Sequence, residues 1–175
     1  MGVLRRIFRG RPPVPESAKQ FLERDERALA WAQAVTGQIL VASPRGLHVV
    51  GERAHRLIGW HEISKATWGE RKLTVIEAKQ FDGAEIGDER PWRLEFDEPG
   101  GIPVVLRQRV ESSVVVTVHR KIGGGVRLIG RKVPGRDGLL WQYRFDRPGP
   151  VDPAVRAAVE AALADVRDEH TPRDL

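Results

Sequence analysis

The chain has no cysteine, one methionine and one tyrosine in 175 residues. Without thiols there are no disulfides, no thiolate zinc sites and no cysteine nucleophile, and the chain suits a reducing compartment. No apolar run approaches the ~20 residues that cross a bilayer. The N-terminus is basic but has neither the apolar core nor the small-residue cleavage site of an export signal. Arg6 stands where myristoylation after Met1-Gly2 would need Ser or Thr. A cytoplasmic protein is the expectation. Catalytic signatures are missing too: there is no G-x-S-x-G elbow, and His61-Glu62 is followed by Lys65 where a zincin needs its second histidine.

What is present is a folding composition, with 41% apolar residues and five tryptophans. The length allows one domain with a good core, or one domain with an added subdomain. The net charge is +5 and the pI about 10.1. Arg5, Arg6, Arg9, Arg11 and Lys19 against Glu16 give residues 1–20 a charge of +4, which leaves +1 for the rest. The high pI is therefore mostly a property of the beginning of the chain. Arginine outnumbers lysine 23 to 6, and Ala, Gly and Val are common, which points to a GC-rich bacterial genome.

Residues 1–15 read as a basic arm, because three prolines and Gly10 oppose a continued helix. Ala18, Phe21 and Leu22 predict a helix over 16–27. Period-two alternation then begins. Ser43-Pro44-Arg45-Gly46 is turn chemistry joining strands near 38–43 and 46–50. Ile58 and Trp60 share a parity that Ile63 breaks, so an irregularity is expected near His61–Ser64, with the tryptophans of 56–77 in the core. Gly69-Glu70-Arg71 reads as a turn and 79–91 as an acidic loop. Trp92, Leu94 and Phe96 alternate with Arg93, Glu95 and Asp97 as a half-buried strand does. Pro103 and the spacing of Val105, Leu106, Arg109 and Val110 favour a short helix over 102–112. Three strands follow, with Gly123–Gly125 as a hairpin turn and Gln142 and Arg144 on the polar face. A final helix is capped by Asp152 and striped by Val155, Val159, Leu163 and Val166. The last residues, 169–175, read as a frayed tail.

The hairpin ILVASPRGLHVV, the W-x-x-I of Trp60–Ile63, the strand KLTVIE and WRLEFDEP followed by IPVVLRQRV together resemble a bacterial pleckstrin-homology-like domain. The resemblance covers about residues 28–112, with Gly59 where that family usually has proline. It implies an antiparallel barrel or sandwich, no catalysis, and binding of proteins, peptides or lipid headgroups. The expected architecture is mainly β (α+β): an arm over 1–15, a PH-like domain with its leading helix over 16–112, and a β-meander with a C-terminal helix over 113–168.

Two groups of residues are candidate contact sites. Val3, Leu4, Ile7 and Phe8 fall on one helical face, with Arg5, Arg6 and Arg9 around them. Such a short basic amphipathic piece suits weak, salt-sensitive contact with an anionic membrane or a partner. His119, Arg120, Lys121, Arg127, Arg131 and Lys132 cluster about one predicted hairpin and suit an anionic ligand, or simply a charged strand edge. The acids Asp82, Glu85, Asp88 and Glu89 lack calcium-loop spacing and read as a solvated loop able to pair with the arm. No cofactor and no metal are expected. The expected function is a non-catalytic binding or adaptor protein, weakly held at the inner membrane face by its first residues. Two other classes stay open: a nucleic-acid- or ribosome-associated protein using the arm and 119–132, and an enzyme with a dispersed site.

Overall fold

Ile39, Leu40, Val41 and Ala42 are all buried, a pattern that requires cover on both faces of a strand. The computed structural model, which describes residues 13–171, supplies both covers. The elements are α1 (Glu16–Lys19), β1 (Ala30–Gln33), β2 (Ile39–Ala42), β3 (Gly46–Val50), β4 (His55–Gly59), a 3-10 turn (Trp60–Glu62), β5 (Ile63–Gly69), β6 (Lys72–Gln80), β7 (Ile86–Asp88), β8 (Trp92–Glu95), α2 (Ile102–Ser113), β9 (Val114–Arg120), β10 (Val126–Lys132), β11 (Leu139–Phe145) and α3 (Pro153–His170). Strands β1 to β4 form one antiparallel meander. Its inner face shares a core with β5, β6, β8 and α2 through Leu40, Leu47, Ile58, Trp60, Leu73, Phe96 and Leu106. Its outer face, with Ile39, Val41 and Val50, is covered by Val14, Ala18, Leu22 and Ala28 of the leading segment.

The second sheet is built on the long strand β6, which pairs with β5, β7 and β8. The third runs β11-β10-β9. One face of it packs Val116, Val126, Leu128 and Tyr143 against Val159, Leu163 and Val166 of α3. The side chain of Asp152 accepts from the N–H of Ala154 at 2.7 Å and starts that helix. A parallel bridge between Glu85 and Tyr143 joins the third sheet to the segment before β7. The protein is mainly antiparallel β with a C-terminal helix, and the sheets among the described residues do not close into a barrel.

The expected irregularity is present: the chain turns at Trp60–Glu62 and the β5–β6 register shifts between Ile63 and Lys65. Glu62 explains the turn, because its Oε2 accepts from the N–H of Gly59 at 2.6 Å. The residues of 102–112 are helical, and Gly123, Gly124 and Gly125 all have positive φ. Four expectations need correction. The helix over 16–27 is only Glu16–Lys19, because the chain beyond it turns Glu26 under the first sheet to meet His48. Residues 79–91 contain strand β7. Trp60 is core, but Trp68 is 37% exposed at the end of β5. Gln142 is 7% exposed, because the polar face of the third sheet packs on the first half of the chain, where Arg144 donates to Ser64 Oγ at 2.7 Å.

Candidate functional site: a cationic pocket beside a buried arginine

Where α2 ends and β9 begins, Ser113 is buried beneath the 3-10 corner. Its hydroxyl donates to the carbonyl of Val110 at 2.7 Å and accepts from Arg131 Nη1 at 2.9 Å. Arg131 is 5% exposed. No carboxylate among the described residues forms an ion pair with it, and its Nε has no hydrogen-bond partner. Burial, followed by the nearby Arg144 guanidinium, pushes its pKa down. A guanidinium does not deprotonate in practice, so a positive charge sits inside the protein without a counter-ion among the described residues.

Directly outside Ser113 is a pocket of about 310 Å³ lined by Pro44, Trp60, Arg109, Ser112, Ser113, Lys132 and Pro134. None of these residues is acidic. Ser112 Oγ donates to the carbonyl of Arg109 at 3.2 Å, so both serine hydroxyls spend their protons on α2 carbonyls that would otherwise repel an anion. The cationic residues of the lining are Arg109 and Lys132. Neither forms an ion pair among the described residues. His61 also feels the charge of Arg131. Its Nδ1 is buried without a partner, and its pKa is pushed down, first by burial and then, against the pull of Glu62, by Arg131 and Arg136. His61 and Glu62 do not act as a pair: the carboxylate is spent on Gly59.

The proposed cluster of basic residues is divided by this fold. Arg131 was expected at the surface and is interior, because its face of β10 is the one packed against α2 and the 3-10 corner. Lys132 lines the pocket. His119 and Arg127 are held instead by Asp146, at 2.7 and 3.6 Å. Arg120 and Lys121 are exposed at the hairpin end, away from the pocket lining. Val3, Leu4, Arg5, Arg6, Ile7, Phe8 and Arg9 lie outside the described residues. The basic residues of the arm with which the loop acids were expected to pair also lie outside the described residues; within them, Asp88 bonds Arg144 at 2.8 Å, and Glu85 pairs with Arg156.

A larger cleft, of about 1080 Å³, lies between the β6–β7 hairpin, the end of β11 and the start of α3. Its chemistry is self-neutralising, because Arg144 and Arg156 are taken by Asp88 and Glu85. The buried Tyr143 phenol, which feels the lining residues Glu85 and Arg156, is pushed up by burial and then by the Glu85 carboxylate, so it stays protonated. No cluster of three or more metal-ligating side chains exists among the described residues, and no described helix is long and apolar enough to cross a membrane.

Arg109, Ser112 and Ser113 were not singled out by the sequence. They meet Lys132 only because α2 crosses the end of β10, a non-local contact that no spacing reports. No family model matches the chain, no curated protein matches its sequence, and no solved structure matches its fold.

Proposed function

We propose that the protein is a non-catalytic binding module for a small oxyanion-bearing ligand, a phosphate or carboxylate group seated between Arg109 and Lys132. The observation that carries this reading is a solvent-reaching pocket lined by two unpaired cations and no acid, with a third, buried cation behind it. Buried charge without a partner costs several kcal/mol, and an anion in the pocket would offset part of that cost. Kinship of residues 28–112 with pleckstrin-homology-like domains, and contact of residues 3–9 with an anionic membrane, belong to the same proposal. Both would bring the pocket to phosphate-bearing partners.

The test is calorimetric titration of the full chain with inorganic phosphate and with citrate at low ionic strength. Binding is expected, weakened about tenfold or more by Arg109→Ala or Lys132→Ala, the scale of one charge-assisted hydrogen bond. Equal binding by Arg120→Ala/Lys121→Ala should remain. Absence of heat with either anion, or loss in the 120/121 variant alone, would sink the pocket and return the hairpin end to first place.

A further inference from the structure

Glu26, His48 and His55 form a hydrogen-bonded chain on the outer face of the first sheet. Glu26 Oε1 meets His48 Nε2 at 2.8 Å, and His48 Nδ1 meets His55 Nε2 at 3.0 Å. The side chains of Glu26 and His48 are each 2% exposed. The two histidines are seven residues apart, but β3 and β4 pair His48 with Leu57 and Val50 with His55. They are therefore diagonal neighbours on one face. Phe21 stacks on the outer ring, 4.2 Å between centroids and 14° between planes. Both Phe21 and Glu26 belong to the segment that covers this face, so the chain of bonds is what fastens that segment over the sheet's polar end.

The geometry points to an acid-opened latch: Glu26, His48 and His55 hold residues 13–29 on the first sheet at neutral pH and release them on acidification. An ionised Glu26 accepts, so His48 Nε2 carries its proton. Neutral His48 then presents a bare Nδ1, which accepts from His55 Nε2–H. One added proton can be accommodated by the pair. A second sets N–H against N–H at 3.0 Å and breaks the chain. Neutralising Glu26 removes the acceptor at the other end.

The surrounding charges act the same way. Burial pushes Glu26 up, but hydrogen bonds from Ser43, the Glu23 N–H and His48 outweigh it and hold the carboxyl below its usual range. Burial, then His48, pushes His55 down, against Glu26. The other charged groups in ion-pair contact with this chain are Arg45, 3.9 Å from Glu26, and Glu23, which Arg45 also holds. For a base whose folded pKa is depressed, the folded form is the neutral one. Its stabilisation is complete above the unfolded value, about 6.5 for histidine, and is lost as pH falls through and below it. The depressed carboxyl adds a further loss at lower pH.

The experiment is amide hydrogen exchange on the full chain between pH 7.5 and 5, corrected for intrinsic rates. Protection over residues 16–29 should fall by about tenfold per pH unit for each proton taken up, and more steeply than that of β9 to β11, whose amides follow only the stability of the whole fold. His55→Gln can still donate to His48 but takes up no proton itself, so its protection over 16–29 should fall less steeply with pH than that of the wild type. Phe21→Ala should lower protection at every pH and keep the slope. An unchanged slope in His55→Gln, a flat wild-type profile, or a loss over 16–29 no steeper than that over β9 to β11 would overturn the latch. No anion is used, so failure of the pocket leaves this result readable.

Discussion

Trp60 Nε1 donates to the carbonyl of Ser43 at 3.1 Å, across the buried junction between the β2–β3 turn and the 3-10 corner. The bond ties a turn of the first sheet to the 3-10 turn that leads into the second. Trp60→Phe keeps most of the apolar packing and leaves that carbonyl short of a donor. We expect a loss of about 1–3 kcal/mol in unfolding free energy, measured by urea denaturation. A loss below a few tenths would show that the bond contributes little.

Arg131→Met should separate charge from packing. The methionine fills similar space without a buried charge, so stability in phosphate-free buffer should stay level or rise, within about 1–4 kcal/mol. Affinity for phosphate should fall in the same variant. A clear loss of stability would mean that the bond to Ser113 outweighs the burial of the charge.

The β5–β6 turn carries strain in ordinary residues. Glu70 has φ 49° and Arg71 has φ 64°, in the left-handed region that costs L-residues about 1–2 kcal/mol. Arg71 has a use there, since its side chain donates to the carbonyl of Phe96 and pairs with Asp97. Glu70 has no such bond, so Glu70→Asn should raise the urea midpoint, by up to about 1 kcal/mol in free energy.

Gly46 has no room for a side chain. A Cβ there would lie 2.3 Å from the carbonyl oxygen of Ile58. Gly46→Ala must push β3 from β4, at a cost of about 1–3 kcal/mol or more. Thermal unfolding would show it, and an unchanged midpoint would contradict the pairing of these strands.

Acid should weaken the fold as a whole through a second histidine. His61, like His55, is held below its usual pKa, first by burial. The unfolded chain therefore binds more protons than the folded one near and below pH ~6.5, and stability falls as pH drops. Urea midpoints at pH 7.5 and 5 should show the fall, and His61→Gln should reduce its slope. An identical slope in that variant would remove His61 from the account.

Local chemistry made much of the fold legible. The Ser43–Gly46 turn, the slip after Trp60, the Asp152 cap and the helix of 102–112 all follow from neighbours in sequence. The failures share one cause, contact between distant segments. Gln142 and Arg131 look like solvent-facing residues on alternating strands, and only the docking of the third sheet on the first half of the chain buries them. The helix over 16–27 obeyed its apolar spacing on paper, but Glu26 is worth more to the structure beneath His48 than on a helix surface. His48 and His55 gave no recognisable spacing, yet the register of one hairpin would have placed them side by side. The pocket was half visible, through Lys132, and its other half came from a helix met across the fold.

The turn Ser43-Pro44-Arg45-Gly46 has two clients. On one side Ser43 and Arg45 hold Glu26, and on the other Pro44 is a wall of the cationic pocket. Four residues thus stand between a proton-sensitive contact and an anion-sensitive one. If acid release of the leading segment loosens this turn and weakens anion binding, a bound anion must oppose proton uptake at the histidines by the same free energy. The two equilibria would then report on each other through a single piece of backbone.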